Sequence, residues 1–255
     1  MKIIVCVKQV PDTSGKVAVN PDGTLNRASM ATITNPDDLN AVEAALVLKE
    51  QTGAEVVVVC MGPPPAEGML RECLARGCDR AVLVSGREFG GSDTYATSQI
   101  LAAAINKIGV DAEDIVMCGR QAIDGDTAQV GPQIAEKLGL PQVSYAADIQ
   151  KDGRTLTIKV QTPCLITCIK ELNEPRYMSV YGIFDCYSKP YEVLDYNALK
   201  DDPLIDPSTI GLMGSPTNIL TSFTPPQKGA GMMLEGADKA TCDQLAGIMA
   251  AKHMI

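Results

Sequence analysis

The chain contains one histidine, His253, and it falls among the last three of 255 residues. Acid–base or triad chemistry built on an internal imidazole is therefore excluded. The nine cysteines include no Cys-x-x-Cys pair; Cys73/Cys78 and Cys164/Cys168 have neither the zinc nor the iron–sulfur spacing, so no metal site is expected. Lysine and arginine number 22 against 31 acids, a net charge of −9, which argues against a nucleic-acid partner. No apolar run approaches the roughly 20 residues of a membrane span. The opening Met1-Lys-Ile-Ile-Val-Cys-Val-Lys8 is too short an apolar run for a signal peptide and reads as a first strand. An odd cysteine count, with Cys6, Cys60 and Cys118 inside apolar runs, fits buried reduced thiols and predicts a cytoplasmic protein.

What is present is a regular alternation. Residues 2–10 read as a β-branched strand, followed by a polar segment with a turn at Asn20-Pro-Asp-Gly23 that predicts a small hairpin. Asn35-Pro-Asp-Asp38 announces a helix: Asn35 as cap, proline at the first position, two acids on the dipole, and Gly53 as the stop. Glu55-Val-Val-Val-Val-Cys60 is the continuous apolar strand of a sheet buried on both faces. Helix 66–76, strand 80–84, helix 94–108, strand 114–118 and helix 127–138 follow. This rhythm predicts an α/β fold, a doubly wound and mostly parallel Rossmann-like sheet that binds ligands beyond the carboxyl ends of its strands. Residues 143–149 and 155–161, around a Lys151-Asp-Gly-Arg154 turn, read as an added β-hairpin, and 164–169 as another apolar strand. From residue 196 the chain is proline-rich and poorly periodic until a helix at 238–252. The expected division is an α/β domain at 1–195 and an arm at 196–255 that embraces a partner, with Gly211-Leu-Met-Gly214 and Gly229-Ala-Gly-Met-Met-Leu234 docking in extended form.

The most informative loop is Cys118-Gly-Arg-Gln-Ala-Ile-Asp-Gly-Asp-Thr-Ala-Gln-Val-Gly-Pro-Gln133, between a strand and a helix. A glycine-bearing turn there offers backbone N–H groups and a positive helix end to a phosphate. Asp126 is the expected N-cap and Gln129, three residues on, completes a capping box. Asp124, Thr127 and Gln129 carry groups suited to sugar or flavin. The plain alternative is an ordinary capped turn. Gly119, Gly125 and Gly131 match neither the dinucleotide fingerprint nor the P-loop, whose Gly-Lys-Ser/Thr ending is absent.

Taken together, these segments resemble the beta subunit of electron-transfer flavoprotein. The resemblance is carried by Val5-Cys-Val-Lys8, Asn35-Pro-Asp-Asp38, Met61-Gly-Pro63, Gly119-Arg-Gln-Ala-Ile-Asp124 and Leu172-Asn-Glu-Pro-Arg-Tyr177, and it covers essentially the whole chain. It implies a heterodimer with a flavin-carrying alpha subunit and an adenine nucleotide in the core domain: AMP in the mitochondrial type, a complete FAD in the electron-bifurcating branch. Carried over by position, Cys6, Asn35, Asp38 and Met61 would line the adenosine end. Gly119, Arg120, Gln121, Asp124, Gly125, Asp126, Thr127, Ala128, Gln129 and Val130 would wrap ribose and phosphates. The segment Gly91-Ser-Asp-Thr-Tyr-Ala-Thr-Ser98 resembles that of the bifurcating branch, which adds Asp93, Thr94 and Thr97 as flavin contacts. Its hydroxyls can equally cap their own helix.

The resemblance then implies that FAD here takes hydride from NADH and that the electrons part, to the alpha-subunit FAD and an acyl-CoA dehydrogenase, and to ferredoxin or flavodoxin. No side chain need act as acid, base or nucleophile. The stretch Met178-Ser-Val-Tyr-Gly-Ile-Phe-Asp-Cys-Tyr-Ser188 occupies the family's partner-recognition loop, with Val180 in place of the anchoring leucine and without its lysine cluster. Two other functions remain open on sequence. One is an AMP-holding, non-bifurcating carrier. The other is an ATP-using PP-loop-like enzyme, since Phe89-Gly-Gly-Ser-Asp-Thr94 approximates that loop although it follows the third strand rather than the first.

Overall fold

The computed structural model describes residues 1–12, 31–146, 160–217, 229 and 231–255. The apolar runs become strands: β1 (Lys2–Cys6), β4 (Glu55–Met61), β5 (Arg80–Val84) and β6 (Ile115–Gly119). Five consecutive residues of β4 are buried, as a strand covered on both faces requires. With β7 (Gln142–Ala146), β8 (Cys164–Cys168) and β9 (Tyr191–Leu194) they form one seven-stranded sheet in the order β7-β8-β6-β1-β4-β5-β9, with every pair parallel. The first expected strand is split. After β1 the chain turns away, and Gln9–Pro11 (β2) pairs antiparallel with Thr32–Thr34 (β3) as a separate two-stranded ribbon.

Alternation along each strand feeds two cores. Ile3, Val5, Val56 and Val58 meet Val42 and Leu46 of α1 (Pro36–Thr52) and Leu70 and Leu74 of α2 (Glu67–Arg76). On the other face Ile4, Val57, Val59 and Val82 meet Ile100 and Ile105 of α3 (Thr94–Ile108) and Ile134 of α4 (Val130–Leu138). The sheet is doubly wound, as the alternation of elements predicts. Gly53 ends α1 at φ 74° and donates its N–H to Lys49 O, a left-handed turn that a β-carbon would disfavour. Both expected hairpin turns, at Asn20–Gly23 and at Lys151–Arg154, lie outside the described residues.

The segment after β8 is fastened to the first helical face. Asn173 and Asn40 exchange amide-to-carbonyl bonds of 3.0 and 2.8 Å. Arg176 grips Glu43 of α1 through Nε and Nη2 at 2.8 and 2.9 Å. Burial pushes the Glu43 carboxyl up, but the Arg176 bonds outweigh it and hold it below its ordinary value. A short helix, α5 (Val180–Asp185), then rests on α2 with Gly182 against the Ala75 carbonyl. Arg71 lies 5.5 and 4.7 Å from the ring centroids of Tyr187 and Tyr191, and Lys189 Nζ donates to the last carbonyls of that helix region, Leu74 O and Cys78 O, both at 2.9 Å.

The first third of the expected arm joins this chain's own core. Leu199 of α6 (Tyr196–Leu199), Ile205 and Ile210 are buried in the cluster beneath α3. Gly211–Gly214 forms a helical turn, α7, where extended docking was expected; the turn lets Leu212 N–H reach Gly90 O at 2.9 Å. The last helix, α8 (Lys239–Ala251), has no buried residue. No helix among the described residues is long and apolar enough to cross a membrane.

Candidate functional site

Because the strands are all parallel, their carboxyl ends share one rim. From β1 the chain winds outward through β4 to β5, then crosses under α3 to β6 on the other side of β1. The order therefore reverses between β1 and β6, and the crevice there is where open α/β sheets hold ligands. The turns after β1, β4, β5 and β6 all open on this rim. Its central stitch is Asp38, at the third position of α1. Its Oδ2 accepts the Lys8 N–H at 2.8 Å and its Oδ1 the Gly119 N–H at 2.9 Å, so one carboxylate joins the ends of β1 and β6. Burial drives its pKa up to about 7 against the bonds from Lys8, Asn35 and Gly119, which favour the charged form.

Asn35 works beside it, and not as the expected side-chain cap of α1, where it makes no capping bond. Its Nδ2 donates to Gln121 O at 2.8 Å and its Oδ1 accepts from Ile123 N–H at 3.1 Å. Fully buried, it holds the loop after β6 against the first helix. Lys8 Nζ bridges the same gap on the surface, 2.7 and 2.9 Å from the two oxygens of Asp124. Arg120 Nε lies 3.3 Å from Asp37 Oδ2. Cys6 is buried and its thiol pushed up to about 12, chiefly by desolvation, while Met61 is half-buried at the end of β4. Among the described residues no group of three or more His, Cys, Asp or Glu is arranged to hold a metal.

The loop itself departs from the capping box. Helix α4 begins at Val130, and the Gln129 side chain makes no cap bond. Asp126 is not the N-cap: it adopts φ 50°, and its carboxylate accepts from Gln121 Nε2 at 2.7 Å. Ala128 is also left-handed at φ 53°. Two non-glycine residues in that region cost on the order of 1 kcal/mol each. The strain turns the backbone so that the N–H groups of Thr127, Ala128 and Gln129 have no partner among the described residues, just before the positive end of α4. Thr127, Gln129, Gly125 and Asp124 are exposed and Ala128 half-buried, so the cradle is open; Val130 packs its side chain into the second core.

The turn after β5 meets this loop. The Thr94 hydroxyl donates to Gln129 Oε1 at 3.1 Å, joining the start of α3 to that of α4. Asp93 caps α3 by accepting from Ala96 N–H at 3.0 Å, and its other oxygen takes Thr217 N–H at 2.9 Å and the Thr217 hydroxyl at 2.7 Å. Burial pushes this carboxyl up, but those bonds prevail and hold it low. Ser98 is buried and donates to Tyr95 O at 2.7 Å, whereas the half-buried Thr97 hydroxyl makes no hydrogen bond among the described residues. The structure thus gathers the sequence-predicted residues at one rim, but Asn35, Asp38, Asp93 and Ser98 spend their polar atoms on the protein. Sequence reasoning missed Lys8 as a cross-rim cation and the Ser215–Thr217 clasp on Asp93; nothing in that aperiodic stretch signals the clasp.

The family model for the electron transfer flavoprotein domain matches residues 22–183. This chain belongs to the electron-transfer flavoprotein family, as a beta subunit. It is 64% identical over 267 aligned residues to the acryloyl-CoA reductase electron transfer subunit gamma of Anaerotignum propionicum, with 100% of both chains covered. It is 50% identical to the caffeyl-CoA reductase-Etf complex subunit CarD of Acetobacterium woodii, covering 99% of this chain and 97% of that one. It is 49% identical to the electron transfer flavoprotein subunit beta of Clostridium acetobutylicum, with 100% of both covered.

This beta subunit carries two further surfaces away from the rim. On α5 and its flanks Tyr177, Val180, Tyr181, Phe184 and Tyr187 are between 73% and 91% exposed, four aromatic side chains with Val180 among them. The end of the chain exposes Met232, Met233, Leu245, Met254 and Ile255.

Proposed function

We propose that the rim holds FAD and that this beta subunit works with an alpha subunit as an NADH-oxidising, electron-bifurcating electron-transfer flavoprotein. The observation that carries the reading is the strained loop with three unpartnered N–H groups where α3 and α4 begin. Such a nest fits a diphosphate, and strain of this kind persists where the fold has a use for it. When bound, FAD supplies hydride acceptance from NADH and electron delivery to the alpha-subunit flavin with its acyl-CoA dehydrogenase, and to ferredoxin or flavodoxin. The chain's own part is positional. Thr127, Ala128 and Gln129 bind phosphate oxygens through their backbone; Cys6, Met61 and the buried pair Asn35 and Asp38 shape the adenosine end; Thr94, Thr97 and Asp124 face ribose or flavin; Gly119, Arg120, Gln121, Gly125, Asp126 and Val130 form the wall.

The α5 face is the docking surface for an acyl-CoA dehydrogenase, anchored by Val180, and the last part of the arm, residues 231–255, reaches the alpha subunit through its exposed methionines and α8. The names of two relatives, tied to acryloyl-CoA and caffeyl-CoA reductases, support an acyl-CoA-linked partner. The AMP-holding, non-bifurcating reading has one observation in its favour: Asp93 and Ser98, two polar members of the segment that distinguishes the branches, bond to the protein itself. Co-expression with the alpha subunit decides between them. Two FAD per heterodimer and NADH oxidation are expected. One FAD with one AMP, and no NADH oxidation, would leave only the AMP reading.

A further inference from the structure

We propose that Asp38 is a positioning residue for the nucleotide cradle, setting the width of the crevice between β1 and β6 without touching the ligand. The inference rests on the reading of the rim as an adenine-nucleotide site. Its basis is geometric. Asp38 is buried, and its two oxygens accept one backbone N–H from each wall, Lys8 on the β1 side and Gly119 on the β6 side. A neutral side chain of the same shape does this less well. An asparagine amide puts a donor on one arm, which would face an N–H donor and break one stitch, and a protonated carboxyl leaves only the weaker acceptor of a hydroxyl oxygen on that arm. Gly119 is the last residue of β6, from which the turn runs on to Thr127, Ala128 and Gln129, so loss of that stitch frees the near end of the cradle. Its far end stays tied by Asn35 at Ile123 and by Thr94 at Gln129.

The groups around Asp38 are four thiols, a second carboxyl and one cation. Cys6 of β1, Cys60 of β4 and Cys168 of β8 face it with thiols pushed up to about 12 by burial, and Cys118 of β6 is pushed up as well. Asp37, its neighbour on α1, is itself raised by burial, against the pull of the Arg120 guanidinium, and Lys8 is paired with Asp124. Burial puts the Asp38 carboxyl at about 7. The consequence for stability has the opposite sign from that for binding. A carboxyl whose folded pKa lies above its unfolded value of about 4 favours the fold most when protonated, and that contribution is lost as pH rises from about 4 through 7. Lowering the pH from about 8.5 to 6 therefore loosens the cradle without weakening the fold on this group's account.

The test is a titration of the flavin-stripped full chain with FAD, whose diphosphate does not ionise in this range, read by flavin fluorescence at about pH 6 and 8.5. Binding is expected to weaken severalfold, up to a ceiling of about tenfold, at the lower pH while the ligand-free melting temperature does not fall. Asp38→Asn is expected to bind FAD about tenfold or more weakly at pH 8.5, with no further pH dependence, and to speed amide exchange in the peptide spanning 119–129. Equal wild-type affinity at both pH values, or parallel loss of affinity and melting temperature, would overturn the proposal whether or not the variant folds. Tighter binding at pH 6 and in Asp38→Asn would show that the carboxylate acts on the phosphates as a charge, and would also overturn it. Absence of FAD and AMP binding at every pH would instead remove the nucleotide site itself, and the positioning role with it.

Discussion

Gly119→Ala should lower the melting temperature by about 6–12 °C and empty the rim of nucleotide. A β-carbon at this buried position would lie 2.4 Å from Asp38 Oδ1 and 2.6 Å from both the Asp37 carbonyl carbon and the Asp38 backbone nitrogen. Two of those contacts are backbone in the first turn of α1, so no side chain can swing away to relieve them. Either α1 shifts off the sheet or β6 withdraws, and each breaks the Asp38 stitch. Overpacking of a core costs about 1–3 kcal/mol when side chains can adjust. With backbone on the other side, about 3 kcal/mol or more is the reasonable figure, and in a chain of this size each kcal/mol moves the melting temperature by about 2–4 °C. Calorimetry of the purified variant, with an extracted-flavin assay on the same sample, checks both halves. Gly125→Ala is the internal control. Nothing lies within 4 Å of a β-carbon there, so its stability should change by less than about 0.5 kcal/mol. A Gly119→Ala protein that melts and binds FAD like the parent would refute the tight-approach account.

The second large effect is expected at Gly182. A β-carbon there would stand 2.1 Å from the carbonyl oxygen of Ala75, near the end of α2. Helix α5 is only six residues long and its outer side is solvent, so it should lift away rather than unfold the domain. Stability should fall by about 2 kcal/mol. The functional loss should be larger, because α5 carries Val180, Tyr181 and Phe184 as one rigid face and mounts them on Arg71, Lys189 and α2. Electron transfer to an acyl-CoA dehydrogenase is expected to slow by about tenfold or more, with flavin content unchanged, if this face is the docking surface. Val180→Ala separates seat from contact. Its side chain is mostly exposed, so the variant should keep its melting temperature yet still dock more weakly. Undiminished transfer in both variants would move the docking surface elsewhere.

The parts of this molecule that were readable in advance are those fixed by local periodicity. Glu55–Met61 could be seen as a doubly covered strand because Val56 to Cys60 is an unbroken apolar run with no polar residue to face water. The span Thr94–Ile108 was read at the bounds that the structure shows. What the sequence hid are bonds between distant residues. Asn35-Pro-Asp-Asp38 has the form of a helix cap, but the Asn35 amide reaches a carbonyl 86 positions away. Asp126 and Gln129 have the spacing of a capping box, but Gln121 and Thr94 take their side chains, and the helix begins later. Strand β9 went unseen because four residues at a sheet edge, two of them exposed, give no period to read. Leu172-Asn-Glu-Pro-Arg-Tyr177 identified the family, while its physical work, Asn173 and Arg176 clamped on α1, needs the fold to be visible.

Eight of the nine cysteines are buried free thiols, and the ninth, Cys242, stands exposed on α8. Reaction with a maleimide needs both access and a thiolate, and the buried ones lack access. The native chain therefore comes with a single attachment point for a dye or spin probe, located on a helix that has no buried residue. Distances measured from that probe can follow where the far end of the chain goes when a second protein arrives, with no residue changed.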